Sequence, residues 1–92
     1  MKKFESIENN IISSYYVGTA REVASLYNNF LSREIATPEF CSYPKFDMDK
    51  NYVLDTTEVS SDELPTMKVI TSDTFVSILL SDEEMKEVEF SC

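Results

Sequence analysis

The chain has 92 residues, 42% of them apolar, and its 17 acidic and 8 basic side chains give a formal net charge of −9. This length predicts one small domain over residues 1–92, and the lack of any long apolar run excludes a membrane span. The negative charge argues against nucleic acid as a ligand, because binding it relies on cationic contacts. No apolar segment follows Lys2 and Lys3, which predicts a cytoplasmic protein rather than an exported one.

Two helices are predicted at the start of the chain. Apolar residues recur at a spacing of three to four over residues 3–16, which predicts an amphipathic helix that Gly18 ends in a left-handed cap. Thr19 and Glu22 match a capping box, so a second helix is predicted to begin there. The short link between the two predicts an antiparallel helical hairpin over residues 3–34.

The pattern becomes β-branched and alternating after a proline-containing linker at residues 36–46. The segments that predict strands are NYVLDTTEV (51–59), TMKVIT (66–71), TFVSILL (74–80) and EVEFSC (87–92). A tight turn is predicted at Ser72 and Asp73, and a longer one at SDEE. An alternative interpretation makes Ser81 and Glu84 a capping box that opens a terminal helix.

The predicted fold class is therefore α+β. An N-terminal antiparallel α-hairpin packs on a three- or four-stranded antiparallel β-sheet, which is a meander over residues 51–92. The alternation in the last strand places Glu87 and Glu89 on the opposite side from Val88. One face of the sheet is thus expected to pack on the helices and the other to be acidic.

Residues 47–58, DMDKNYVLDTTE, nearly match the twelve-position EF-hand loop. Tyr52 replaces the glycine at the sixth position, where the loop turns sharply. Pro38, Pro44 and Pro65 disfavour the flanking helices that such a loop requires. A solvated acidic turn leading into a strand is favoured, and a calcium-binding module is kept as an alternative.

The residue types give little support for an enzyme. There is no histidine to serve as a general base near neutral pH, and a single glycine cannot build a phosphate-binding loop. We therefore predict no catalytic residue, no cofactor and no metal ligand. Cys41 and Cys92 are expected to be free thiols in a reducing compartment, and a bridge between them is the alternative.

Acidic residues are concentrated in the second part of the chain. Residues 1–33 hold three acids and four bases, whereas residues 34–92 hold fourteen acids and four bases, so the two parts carry +1 and −10. This asymmetry predicts an acidic surface whose partner is a basic protein. Carboxylates on one side of a strand lie roughly 6.6–7 Å apart and sparsely copy the charge line of DNA. The candidate partner-binding residues are Asp55, Glu58, Asp62, Glu63, Asp82, Glu83, Glu84, Glu87 and Glu89.

A chain of this length and acidity, without histidine and with segments such as ENNIISSYY and LYNNFL, resembles the anti-restriction nuclease (Arn) proteins of T-even phages, a family of DNA mimics. The resemblance covers the overall profile of the whole chain and includes no diagnostic motif. It implies inhibition of an McrBC-like restriction endonuclease in the host cytoplasm, by occupation of the enzyme's DNA-binding surface. It also implies a homo-oligomer that binds other host DNA-binding proteins. No family site residue carries over to this chain.

Other functions fit the same electrostatics. An immunity protein or an anti-CRISPR protein that plugs a basic nuclease differs from a DNA mimic in its target alone. A further alternative is that the acidity serves solubility and has no partner.

Overall fold

The computed structural model describes residues 1–32, 37–38, 45–59 and 66–89, with backbone alone at 37–38 and 58–59. In chain order, the elements are β1 (Lys2–Glu8), β2 (Ile11–Thr19), α1 (Ala20–Ser32), β3 (Thr37–Pro38), β4 (Asn51–Val59), β5 (Thr66–Thr71), α2 (Ser72–Ser81) and β6 (Lys86–Val88). The described strands form one sheet in the order β3-β5-β4-β2-β1-β6. Five of them are antiparallel, and the two-residue β3 pairs with β5 in parallel.

Residues 2–19 form a β-hairpin, so the helix predicted over residues 3–16 is wrong. Asn9 and Asn10 connect β1 to β2 with positive φ angles of 51° and 66°. Two successive positive φ angles are typical of a type I′ turn, whose twist matches that of the flanking strands. Gly18 belongs to β2 and has no positive φ, so it caps no helix.

The second predicted helix is confirmed as α1, and its capping box is confirmed with it. The Glu22 N–H donates to Thr19 Oγ1 over 3.2 Å, and the Thr19 N–H donates to Glu22 Oε1 over 3.0 Å. The bond from the Thr19 backbone is the main cause that lowers the pKa of Glu22 from 4.5. The inner side of α1 buries Ala20, Val23 and Tyr27 against Tyr16, Tyr52, Leu54 and Met67 of the sheet.

The segment TFVSILL forms α2, so the strand predicted at residues 74–80 is wrong, as is the turn at Ser72 and Asp73. Thr71 caps the helix by accepting from the Thr74 N–H over 3.3 Å. Phe75 lies 4% exposed on the inner side of α2. Its ring centroid is 5.3 Å from that of Phe4 and 5.2 Å from that of Tyr15.

The two helices cover opposite faces of the sheet. Consecutive strand residues point to opposite faces, and Tyr16 belongs to the cluster under α1 whereas Tyr15 belongs to the cluster under α2. The molecule therefore has three layers, with the sheet in the middle. An α-hairpin on one face of a meander, with the other face acidic, is the wrong arrangement for this chain.

The last strand, β6, pairs with β1 and not with its neighbours in sequence. Its register places Lys3 opposite Val88, Phe4 opposite Glu87, and Glu5 opposite Lys86. Strands β4 and β5 are confirmed as an antiparallel pair, but α2 separates them from β6, which lies at the far edge of the sheet. The predicted meander over residues 51–92 is therefore wrong.

The end of α2 decides between the two interpretations of residues 81–84. Ser81 is the last residue of α2, and its hydroxyl donates to the Ile78 carbonyl over 3.0 Å. It caps no terminal helix. The longer turn predicted at residues 81–84 is found at residues 82–85, one position later. Cys41 and Cys92 lie outside the described residues, as do residues 90–92 of the predicted last strand.

Candidate partner-binding surface

Four of the predicted partner-binding residues are exposed in one short segment, which runs from the end of α2 to the end of β6. Glu83 and Glu84 lie in the turn, Glu87 lies in β6, and Glu89 follows it directly; all four are exposed. We call these four residues the acidic edge. They come from one short segment because α2 ends, the chain turns, and β6 begins within five residues.

Asp82 fixes the shape of this turn. Its backbone N–H donates to the Ile78 carbonyl over 3.0 Å, and its carbonyl accepts from the Met85 N–H over 3.3 Å. Its two carboxylate oxygens accept from the Glu84 N–H over 3.0 Å and from the Ser6 hydroxyl over 2.8 Å. The half-buried Asp82 thus holds the acidic edge in place and is less accessible to a partner than its neighbours.

The helix itself adds to the negative potential at the acidic edge. Unsatisfied carbonyls at a helix C-terminus carry the equivalent of roughly half a negative charge. The last turn of α2 has no basic residue, and Asp82, Glu83 and Glu84 follow it. Acidic groups in this position are locally unfavourable, so a cationic partner here would relieve repulsion.

Basic residues lie among these acids, which differs from the charge separation expected from the sequence. The pairing of β1 with β6 brings Lys2 and Lys3 beside Glu87 and Glu89, where they line one shallow depression together with Met1 and Val88. Lys3 Nζ lies 3.7 Å from Glu5 Oε2 and 5.2 Å from the Tyr16 ring centroid. The +1 and −10 parts of the chain are therefore not two separate surfaces.

A second open depression, of about 430 Å³, lies on the α1 side of β1 and β6. Glu5, Glu83 and Glu84 surround it together with Lys86, and Ile7 and Val88 supply its apolar lining. Ile7 is 57% exposed. Such a depression offers apolar contact to the stem of a lysine or arginine and carboxylates to its head. Glu5 was not predicted as a candidate, because the pairing that brings it here leaves no local signal.

Asp55 lies in the interior and does not contribute to the acidic surface. It is 7% exposed in the middle of β4, between Tyr15 of β2 and Lys68 of β5. Burial is the main cause that raises the pKa of Tyr15 from 10.0; the Asp55 and Asp82 charges raise it further, whereas a hydrogen bond with Ser13 lowers it. The remaining candidates, the side chain of Glu58 and residues Asp62 and Glu63, lie outside the described part of the chain.

The calcium-loop alternative does not fit the fold. Residues 51–58, which would be its last eight positions, are part of strand β4. Residues 47–50 form a tight turn in which Asp47 Oδ1 accepts from the Asp49 N–H over 3.0 Å. Tyr52 supports the same turn, since its hydroxyl accepts from the Asp47 N–H over 2.9 Å. Among the described residues, no group of three or more potential ligands is arranged to hold a metal ion.

Neither helix in the described ranges has the length and apolar character required to cross a membrane. No protein-family model, curated protein or solved structure matches this chain.

Proposed function

We propose that this protein is an acidic inhibitor that mimics DNA and occupies the DNA-binding surface of a basic host protein, such as a restriction endonuclease. The observation that carries the proposal is the acidic edge, where four exposed carboxylates follow the negative end of α2. DNA-binding grooves are lined with cationic side chains. These side chains displace counterions from DNA when they bind its phosphates. The carboxylates of the acidic edge would use the same cations. Inhibition then follows from occupancy and requires no chemistry.

The ordered backbone of the acidic edge supports this proposal, because a flexible segment loses more entropy on binding. The turn that holds Glu83 and Glu84 is fixed by hydrogen bonds from Ser6 and Glu84 to the Asp82 carboxylate. Glu87 is fixed by the pairing of β6 with β1. The backbone from residue 82 to residue 88 is thus ordered before a partner arrives.

The test is competition with DNA. Immobilised protein is exposed to bacterial lysate, the proteins that bind are identified, and double-stranded DNA is added in increasing amounts. We expect DNA-binding proteins to be captured and to be released by DNA. They should bind more weakly as salt increases, because the Debye length, over which charges interact, falls to about 8 Å at physiological ionic strength. Captured proteins that DNA does not displace would overturn the proposal.

Matched variants locate the interaction on the acidic edge. The triple variant Glu83→Gln, Glu84→Gln, Glu87→Gln and the triple variant Asp47→Asn, Asp49→Asn, Asp73→Asn change the net charge equally. Residues 47 and 49 precede β4, about 14 Å from β6 in the sheet, and Asp73 lies at the other end of α2. We expect the first variant to bind its captured partner about 3–100-fold more weakly and the second about as tightly as the parent. Equal losses would mean that only net charge matters.

One observation favours a second candidate function. Lys2, Lys3 and Lys86 interrupt the carboxylates around β6, whereas the phosphates of DNA carry one sign of charge. A mixed pattern suits a single complementary protein surface. The protein would then be an immunity or anti-CRISPR type of inhibitor that plugs one basic nuclease. Capture of one nuclease, in place of several DNA-binding proteins, distinguishes this candidate.

The proposed place of action is the cytoplasm of the bacterial host. Assembly into a homo-oligomer is part of the same proposal.

A further inference from the structure

The strand β6 is the edge of the sheet beside β1. In the described ranges no strand pairs with its outer side. Exposed strand edges carry unpaired N–H and C=O groups and readily accept a further strand. The backbone groups of β6 that point outward, and the charges beside them, determine which kind of strand it can accept.

The register of the β1–β2 hairpin determines which backbone groups of β6 point outward. In a two-residue type I′ turn the Glu8 carbonyl faces the Ile11 N–H, so Glu8 and Ile11 form a hydrogen-bonded pair. Pairs alternate along an antiparallel ladder, and Phe4 therefore directs its backbone groups toward β2, whereas Lys3 and Glu5 direct theirs toward β6. Their partners Val88 and Lys86 point back toward β1. The N–H and C=O of Glu87 consequently point to the outside.

Glu87 and Glu89 favour one kind of strand at this edge, with Lys2 and Lys3 of β1 lying on their inner side. A second copy of the chain, paired antiparallel through Glu87, would place Glu87 opposite Glu87, and like charges directly opposite are destabilising. The side chains of Glu87 and Glu89 lie on the α2 face, because Glu87 is opposite Phe4, and both are exposed. A strand with basic residues at every second position would match them.

We propose that the outer edge of β6 binds an extended basic segment of the partner protein as an additional antiparallel strand, in which alternate lysine or arginine side chains pair with Glu87 and Glu89. The Glu87 N–H and C=O bond to the backbone of the basic residue opposite. The intervening partner residues lie on the α1 face, beside Val88 and the apolar lining of the second depression. This inference deepens the proposed function and rests on it for the basic character of the partner.

A backbone variant of the protein tests the proposal. Proline at position 87 removes the outward N–H and leaves the β1 ladder intact, because proline is tolerated on edge strands where its nitrogen faces away. Glu87→Gln removes the charge and keeps the N–H. The probe is the capped peptide TKVKVKT, titrated at low salt and followed by NMR. We expect saturable binding of about 1 mM or tighter, a loss of no more than about fivefold in Glu87→Gln, and a loss of at least about tenfold in Glu87→Pro.

Modified peptides provide a test that does not depend on folding of the proline variant. The lysine opposite Glu87 directs its own N–H toward β6, so N-methylation of the lysine nitrogens blocks pairing, and N-methylation of the valine nitrogens does not. We expect only the first modification to abolish binding to the parent protein. The peptide should also protect the Glu87 amide from hydrogen exchange. No saturable binding of TKVKVKT up to about 1 mM, or equal binding of both methylated peptides, overturns the proposal.

Different results would contradict DNA mimicry and strand addition at β6. If DNA displaces the captured partner, but Glu87→Pro behaves as Glu87→Gln and both methylated peptides bind alike, strand addition is wrong and DNA mimicry stands. If the peptide binds as expected and DNA does not displace the partner, mimicry is wrong and strand addition stands.

Discussion

The Ser6 hydroxyl donates a 2.8 Å hydrogen bond to Oδ2 of Asp82, and this bond joins β1 to the end of α2 across 76 positions of sequence. Ser6 is 7% exposed. The same Asp82 carboxylate accepts the Glu84 N–H. One contact thus connects the packing of the second helix with the geometry of the acidic edge.

Ser6→Ala should lower the free energy of unfolding by about 1–2 kcal/mol, because a buried hydrogen bond to a charged group is lost. Urea denaturation measures the change. Ser77→Ala is the control, since its hydroxyl makes an exposed 3.5 Å contact with the Asp73 carbonyl and should cost no more than about 0.5 kcal/mol. Equal losses in the two variants would show that the Ser6–Asp82 bond has no special weight.

Asn10→Gly should increase the free energy of unfolding by about 0.5–1 kcal/mol. Asn10 has a φ of 66°, and glycine adopts positive φ without the steric cost that a side chain imposes. Asn28→Gly, at an exposed position inside α1, should decrease it by a few tenths of a kcal/mol, because glycine weakens a helix interior. Thermal denaturation of both variants checks the opposite signs. Destabilisation by Asn10→Gly would argue against the turn.

Tyr15 should make the protein less stable in alkali. Its pKa is raised in the folded state by burial and by Asp55 and Asp82. The folded state therefore binds the Tyr15 hydroxyl proton more tightly than the unfolded state does. The stability that this difference contributes is fully present below pH 10 and is lost as pH rises through the raised pKa. Tyr15→Phe should flatten the fall in stability above pH 10, measured by urea denaturation at several pH values. An unchanged slope would contradict this assignment.

Lys86→Glu distinguishes the two proposed functions. Lys86 is exposed in the middle of the carboxylates. A DNA mimic gains a more uniform negative surface, so its affinity for the captured partner should rise by about 2–5-fold, whereas a specific plug should lose about as much. Binding is measured by calorimetry. Lys50→Glu, which changes the net charge equally in the loop before β4, is the control and should have a smaller effect on either class.

Self-association stays a prediction. A candidate contact for it lies on α2, which carries the most exposed large apolar side chain of the described residues. Leu80 is 81% exposed, and Val76, one turn before it, is 51% exposed. We expect light scattering at about 100 µM chain to show a dimer or larger species that Leu80→Gln disperses. Ile7→Gln, at another exposed apolar residue, should not disperse it. A monomeric parent under these conditions would contradict the expectation.

Local signals in the sequence were sufficient where a segment's own side chains fix its structure. Thr19 and Glu22 bond to each other's backbone within one turn, so the start of α1 could be predicted without its surroundings. Strands β4 and β5 were predicted from their β-branched residues. The net charge was equally secure, because it depends on composition alone.

Tertiary structure decided the elements whose signal depends on what covers them. In β2, Tyr15 and Tyr16 are both buried, one under each helix, so apolar residues do not alternate and the spacing in residues 3–16 imitates a helix. A short apolar run such as TFVSILL fits a strand or a helix until its packing is known. Phe75 makes it a helix by packing on Phe4 and Tyr15.

The candidate site divides in the same way. The sequence identified the acids from Glu83 to Glu89, because they are neighbours in the chain. The tertiary structure alone placed Asp55 in the interior and brought Lys2, Lys3 and Glu5 beside β6, since these positions follow from pairing between strands far apart in sequence. Strand pairing is set by the summed packing of whole faces of the sheet, and no local pattern encodes it.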